Sequence, residues 1–269
     1  MKRLGIRILS LVLALSMLTG ASPLAFAASY SDSISDVMDR FASVDAKVNL
    51  ANDQVLNGRY RTVEMLEIIA YELDTDGTYA KDIKRVMDSF QRNYSKGTIH
   101  DQIANGACRT AEMLGIIAYE IDPNGSYSDY VTRTLNNYHS DTDGSTHADS
   151  LIVLGTYYSV WLLQAIAYAA DKSDTYTKDI KKIMNTFDAE NDKAKYFSYQ
   201  VINGAYRSVE LLNIIAACLD PDGIFEEYID NVMGWFKKYD DPKRVEYQIT
   251  NGLYRTVQML EIVAYEVMP

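Results

Sequence analysis

Apolar residues recur along the chain in two alternating patterns. The first is typified by Ile83, Val86, Met87, Phe90 and Tyr94, with Lys, Arg, Asp and Gln between them. That spacing predicts a helix with one apolar face and one wet one. It returns as ISDVMDRF from Ile34, IKRVMDSF from Ile83, VTRTLNNY from Val131, IKKIMNTF from Ile180 and IDNVMGWF from Ile229. The second pattern has two arcs. Laid out at about 100° per residue, Val63, Leu66, Ile69, Ala70 and Leu73 share an apolar arc, and Tyr60, Arg61, Glu64, Glu67, Ile68 and Tyr71 share a mixed one. A helix with two partly apolar faces is covered on both sides or faces a sheltered groove, so it predicts the inner partner of a pair whose outer partner is the one-faced helix.

The inner pattern follows a recurring dipeptide. Asn57-Gly58, Asn105-Gly106, Asn203-Gly204 and Asn251-Gly252 recur with Leu154-Gly155 in the middle slot, at steps of 48, 49, 49 and 48 residues. Each opens one shared segment: NGRYRTVEMLEIIAYELD, NGACRTAEMLGIIAYEID, LGTYYSVWLLQAIAYAAD, NGAYRSVELLNIIAACLD and NGLYRTVQMLEIVAYEVM. Self-similarity at a fixed period is the signature of a repeat architecture, and here it predicts an all-α fold of five tandem helical hairpins. Asn before Gly reads as the N-cap of the inner helix. The runs Asp74 to Gly77, Asp122 to Gly125 and Asp220 to Gly223 read as helix stops and tight turns. These boundaries leave outer-to-inner links of about 14 to 18 residues, so the longer loops gather at one end. Open solenoids shield their ends with polar terminal repeats, yet Ile34, Val37, Met38 and Phe41 at one end and Leu260, Ile262, Val263 and Tyr265 at the other keep the internal pattern. The expectation is therefore a closed α/α toroid or a strongly curved α-solenoid. Five inner helices about 10 Å apart leave only a few ångströms at the middle, so side chains fill it.

The segment before the first unit is of another kind. Lys2, Arg3 and Arg7 precede the apolar run Ile8 to Leu18, and Ala25-Phe26-Ala27 follows. This predicts a secretory signal peptide over residues 1–27, with export of a single domain over 28–269. Its removal leaves 23 basic against 37 acidic residues, a net charge of −14 over 242 residues. Such acidity excludes nucleic acid as a partner. No further membrane-spanning stretch is expected, and so no membrane partner after cleavage. The two cysteines, Cys108 and Cys218, sit 12 positions out of register on equivalent helices. That is about 18 Å along the axis against the roughly 7 Å a disulfide tolerates, so both are expected as free thiols.

Candidate chemistry starts with the mixed arc, which supplies Tyr60, Arg61 and Glu64, then Arg109 and Glu112, Tyr206, Arg207 and Glu210, and Tyr254, Arg255 and Gln258. Arg and Glu three apart on a helix pair with one another, and repetition makes them a structural device between units. Converging in a central funnel, they would also bind a polar ligand. The third unit departs, with Leu154, Tyr158 and Trp161 in place of Asn, Arg and Glu. Together with Tyr157 and Tyr168 these predict an aromatic patch suited to a sugar face or a peptide side chain. His100, His139 and His147 lie near Asp101, Asp141, Asp143 and Asp149, a zinc-like donor set whose spacing matches no established site. Glu72, Asp74, Asp76 and Gly77 start like a calcium loop, but Ile83 stands where a bidentate Glu is required. Phosphate-loop, dinucleotide, G-x-S-x-G and H-E-x-x-H motifs are absent, so no cofactor and no metal is expected. The principal expectation is a secreted helical-repeat binding module that recognises a glycan, peptide or protein through the face at the N-termini of the inner helices. The alternative is a secreted carbohydrate-active hydrolase or lyase using Glu64, Glu112 and Glu210. Uncapped ends that did not meet would stack copies into an oligomer.

Overall fold

The computed structural model describes residues 23–268 apart from positions 49, 242 and 243; the basic and apolar stretches expected to form a signal peptide lie outside the described residues. Among the described residues there are ten helices and no strand. They are α1 Pro23–Asp45, α2 Ala51–Leu73, α3 Ala80–Arg92, α4 Ile99–Glu120, α5 Ser128–Asp143, α6 Ala148–Ala170, α7 Thr177–Lys193, α8 Phe197–Leu219, α9 Glu226–Lys238 and α10 Val245–Val267. Ala25 to Ala27, expected from the sequence to be a cleavage site, fall in the first turns of α1.

Odd-numbered helices keep the one-faced pattern. In α3 the buried residues are Ile83, Val86, Met87 and Phe90, and in α7 they are Ile180, Met184 and Phe187. Each such side chain is worth about 1.5–3 kcal/mol when removed from water, enough to hold a short helix whose other face is solvated. Even-numbered helices are buried on nearly every side; in α2 the buried set includes Gly58, Tyr60, Thr62, Val63, Leu66 and Ile69. These helices pack against one another in the order α2, α4, α6, α8, α10, and α10 packs in turn against α2. Each odd helix from α3 to α9 touches the even helices on either side of it, and α1 touches α2 and α10. Among the described residues α6 alone is long and apolar enough to cross a membrane, but its most apolar window is mostly buried within the fold.

The Asn-Gly dipeptide does not open the inner helix. α2 begins at Ala51, several residues before Asn57, and the other inner helices likewise start ahead of their dipeptides. The outer-to-inner connections are therefore only three to six residues long, not 14 to 18, and no long loops gather at one end. What the dipeptide does is tertiary. Asn57 Nδ2 donates to the Phe41 carbonyl at 3.0 Å, Asn105 to Phe90 at 3.1 Å, Asn203 to Phe187 at 2.8 Å and Asn251 to Phe236 at 2.9 Å. Each bond adds a side-chain donor from the inner helix to a carbonyl near the end of an outer helix and so ties the two together; the Phe90 carbonyl also accepts the Asn93 backbone N–H at 3.2 Å.

Glycine next to it lets the inner helices touch. A Cβ on Gly106 would meet Arg59 Cβ at 2.9 Å, one on Gly155 the Ala107 carbonyl carbon at 2.7 Å, and one on Gly252 Ala205 Cβ at 2.8 Å. On Gly58 it would meet Leu253 Cβ at 3.0 Å, so the contact between α10 and α2 has the form of the others. Outer helices show the same recurrence. Phe90 packs edge-on to Tyr60 at 5.0 Å, Phe236 to Tyr206 at 4.7 Å, and Phe41 of α1 to Tyr254 of α10 at 4.7 Å.

The opposite ends are organised by aspartate. Asp122, Asp171 and Asp220 each accept backbone N–H bonds from residues four and five further on, and Asp74 accepts one from Tyr79. Gly77, Gly125 and Gly223 take positive φ in these turns, and Asp174 does so in the turn that lacks a glycine. The aspartates that suggested a calcium loop are thus occupied in starting the next outer helix.

Candidate functional site

The mixed arc faces the outer helices rather than the space enclosed by the inner ones. Arg61 pairs with Glu64 at 2.9 Å, Arg109 with Glu112 at 3.0 Å and Arg207 with Glu210 at 2.8 Å. Arg255 Nη1 donates to Gln258 Oε1 in the corresponding place. Outer-helix groups join them: Arg40 of α1 pairs with Glu64 at 3.1 Å, and Ser89 of α3 accepts from Arg109 at 3.1 Å. The tyrosines reach outwards too, Tyr60 to the Tyr94 carbonyl, Tyr206 to Asp240 and Tyr254 to Asp45. Burial raises the carboxyl groups of Glu64, Glu112 and Glu210, and the neighbouring arginines pull each of them back. None of these acids stands alone in a cleft.

The departures of the third unit serve the same interface. Tyr157 packs on Phe187 of α7 at 5.3 Å and Trp161 stacks on Tyr130 of α5 at 6.0 Å. Tyr158 donates to Asp141, while Tyr168 stacks on Tyr127. These rings interlock with outer-helix aromatics instead of forming one open platform. Loss of the asparagine at Leu154 is explained as well, because Thr142 Oγ1 donates to the Tyr138 carbonyl at 2.8 Å and replaces the missing amide.

A concave site lies elsewhere, at the N-terminal ends of the inner helices. A cavity of about 790 Å³ opens there, and all five inner helices contribute to its wall. Its floor is a ring of branched aliphatic residues, Val55, Ile103, Ile152, Val201 and Ile249, each three residues before its glycine. Phe197 and Tyr247 stand on the rim, about half exposed, with Arg244 over the Tyr247 ring at 4.9 Å. His100 of α4 meets Asp149 of α6 at 3.0 Å across the lip. Among the inner helices, as far as described, α4 alone carries an N-cap side-chain bond, the reciprocal Thr98–Asp101 box; the N-caps of α2, α6, α8 and α10 make none. Helix N-termini without a side-chain cap add positive potential at this end of the molecule.

No family model, curated protein or solved structure matches the chain.

Sequence reasoning passed over the bowl because its floor lies upstream of Asn-Gly, in residues read as a link. The signal was present: DQVLNG, DQIANG, YQVING and YQITNG repeat from Asp53, Asp101, Tyr199 and Tyr247, with an aliphatic residue always three before the glycine. Of the loop histidines only His100 reaches the bowl; Asp101 is engaged in the α4 cap and His139 lies against Tyr138. Among the described residues no three His, Cys, Asp or Glu side chains cluster closely enough to hold a metal ion. Cys108 and Cys218 are both free thiols.

Beneath the floor, towards the C-termini of the inner helices, polar and apolar layers alternate. The hydroxyls of Thr62, Thr110, Ser159, Ser208 and Thr256 ring the enclosed space, each donating to the carbonyl of the glycine four residues before it. Leu66, Leu114, Leu163, Leu212 and Leu260 form the next layer. The enclosed cavity holds only about 20 Å³, so the middle is filled and the bowl has a bottom.

Proposed function

We propose that this chain is an exported binding module that captures an apolar side chain of a peptide or protein in the bowl at the N-terminal ends of its inner helices. The scaffold is read as a closed α/α toroid of five helical hairpins, which accounts for the contact of α10 with α2 and for the recurrence of the Phe–Tyr and glycine contacts at that junction. Export is read from the Lys2-Arg3 to Ala27 leader pattern.

One observation carries the ligand class: a cavity of about 790 Å³ whose floor is five branched aliphatic side chains, one from each inner helix, four of them packed to 3–8% exposure and Ile249 half-buried, with the apolar rings of Phe197 and Tyr247 exposed on its rim. A concavity of this size with an apolar floor and exposed aromatic rings on its rim is the kind of place where a ligand's apolar side chain leaves water. Branched aliphatics offer no flat face for a sugar ring, which favours a side chain over a glycan. The side-chain-free N-termini of four inner helices suit the carbonyl oxygens of a bound peptide, and Arg244, Glu246 and His100 give the rim polar contacts. A hydrolase is disfavoured because Glu64, Glu112 and Glu210 are each held by an arginine of their own helix.

The test is a screen of the protein against peptide and glycan arrays, with product analysis of every hit, followed by Ile249→Lys. Ile249 is half-buried on the floor, so a lysine there folds and puts a charge in the bowl. Apolar peptides should bind uncleaved, and the variant should lose at least about tenfold in affinity with an unchanged melting temperature. Binding of glycans alone, cleavage of the hit, or an Ile249→Lys protein that binds as before would overturn the proposal.

A further inference from the structure

The layers beneath the bowl contain a charge without a counter-charge. Arg59 directly follows Gly58, where the other inner helices have Ala107, Thr156, Ala205 and Leu253. It is only 4% exposed, and its side chain crosses from α2 to α6, where Nη2 donates to Thr156 Oγ1. Its Nε has no partner. No carboxylate pairs with it among the described residues, and the one ionisable group bearing on it is the Cys108 thiol. Burial pushes that thiol above its ordinary value, so it is neutral and supplies no negative charge. Burial lowers Arg59 itself only to about 10, which leaves the guanidinium charged at neutral pH. The positive charge can neither leave nor find an acid, and an uncompensated buried charge is among the costliest features a fold can contain.

Beside it lies the small cavity of about 20 Å³, lined by Arg59, Thr156 and the ring of serine and threonine hydroxyls. That is room for one occupant of about the size of a water molecule. The hydroxyls now donate to backbone carbonyls, but a hydroxyl proton rotates and can turn towards an anion. Phosphate, sulfate and organic carboxylates are too large for the space.

We propose that the central cavity is a site for a monatomic anion, chloride in solution, held by the Arg59 guanidinium and the surrounding hydroxyls. The ion would act as a keystone, neutralising Arg59 and tying the inner helices together from inside. The site is separate from the bowl and does not depend on what the bowl binds.

The experiment compares the melting temperature of the protein in sodium chloride, sodium bromide and sodium gluconate at equal ionic strength. Gluconate controls for screening because it cannot enter the cavity. The halides should raise the midpoint by about 3 °C or more over gluconate, the scale expected of a ligand that binds only the folded state. Arg59→Met should melt at the same temperature in all three salts. Diffraction from bromide-grown crystals of the unaltered protein covers the case in which the variant does not fold; an anomalous peak within hydrogen-bonding reach of Arg59 is expected. Equal midpoints in halide and gluconate, a halide shift that persists in Arg59→Met, or a central cavity without bromide would each overturn the proposal.

Discussion

At the scale of single residues, the glycines of this chain divide by what surrounds them. Alanine is favoured over glycine in a helix by about 1 kcal/mol, so substitution should stabilise wherever there is space. Gly234 in α9 has that space, with nothing within 4 Å of an added Cβ. Gly234→Ala should raise stability by about 0.5–1 kcal/mol. Gly155 has none, since its added Cβ would lie 2.7 Å and 2.8 Å from the Ala107 carbonyl carbon and oxygen. Backbone of a packed neighbour cannot step aside as a side-chain tip can. Gly155→Ala should therefore cost about 1–3 kcal/mol despite its better propensity. Denaturant melts of the two variants check both signs at once, and a stabilised Gly155→Ala would mean that the inner helices are not in the close contact described.

Elements meet through the asparagines, and here the sequence misled in an instructive way. Asn and Gly are poor helix formers and good caps, so local chemistry placed the start of each inner helix at the dipeptide. Tertiary need overrode local preference: glycine is there for close approach, and asparagine for the carbonyl of an outer-helix Phe. The misplaced boundary consigned Val55, Ile103, Ile152, Val201 and Ile249 to a link, and the bowl went with them. What depended on periodicity was legible, including the one-faced outer stripe of Ile83, Val86, Met87 and Phe90 and the Arg–Glu pairs three apart. The direction in which the mixed arc points was not legible, because a helical wheel fixes angles within a helix and says nothing of which neighbour stands at each angle. The asparagine's role predicts that Asn105→Leu, which copies Leu154, costs about 1 kcal/mol by removing the side-chain bond between α4 and the Phe90 carbonyl, which then keeps only its backbone donor Asn93. At Leu154 the corresponding carbonyl, that of Tyr138, takes its side-chain donor from Thr142 instead. An Asn105→Leu protein as stable as the parent in a denaturant melt would remove the asparagine from the account of how outer helices are held.

Over the whole molecule, the carboxyl groups give stability a common pH dependence. Burial raises Glu72, which is 8% exposed, to about 7, and burial with the charges of Asp74 and Asp76 raises Glu120 to about 7. Glu67 and Glu261 are raised as well, burial again being the main cause. Only the exposed Asp76 and Asp101 are lowered, by hydrogen bonds from Thr78 and Thr98 respectively. A carboxyl that titrates higher in the folded chain than in the unfolded one keeps its proton better when folded. Between about pH 4.5 and 7 the folded state therefore binds more protons than the unfolded state, and stability falls as pH rises through that window. The sign is opposite to that of a protein held by exposed salt bridges, which weakens on acidification as its carboxylates are protonated. Growing negative charge on an already acidic chain acts in the same direction. Unfolding free energies measured at pH 5 and pH 8 should differ by about 2–3 kcal/mol in favour of pH 5, and Glu72→Gln should remove a substantial part of the difference. If stability instead rises from pH 5 to pH 8, or if the fall is unchanged in Glu72→Gln, the buried carboxyls do not control the acid side of this fold.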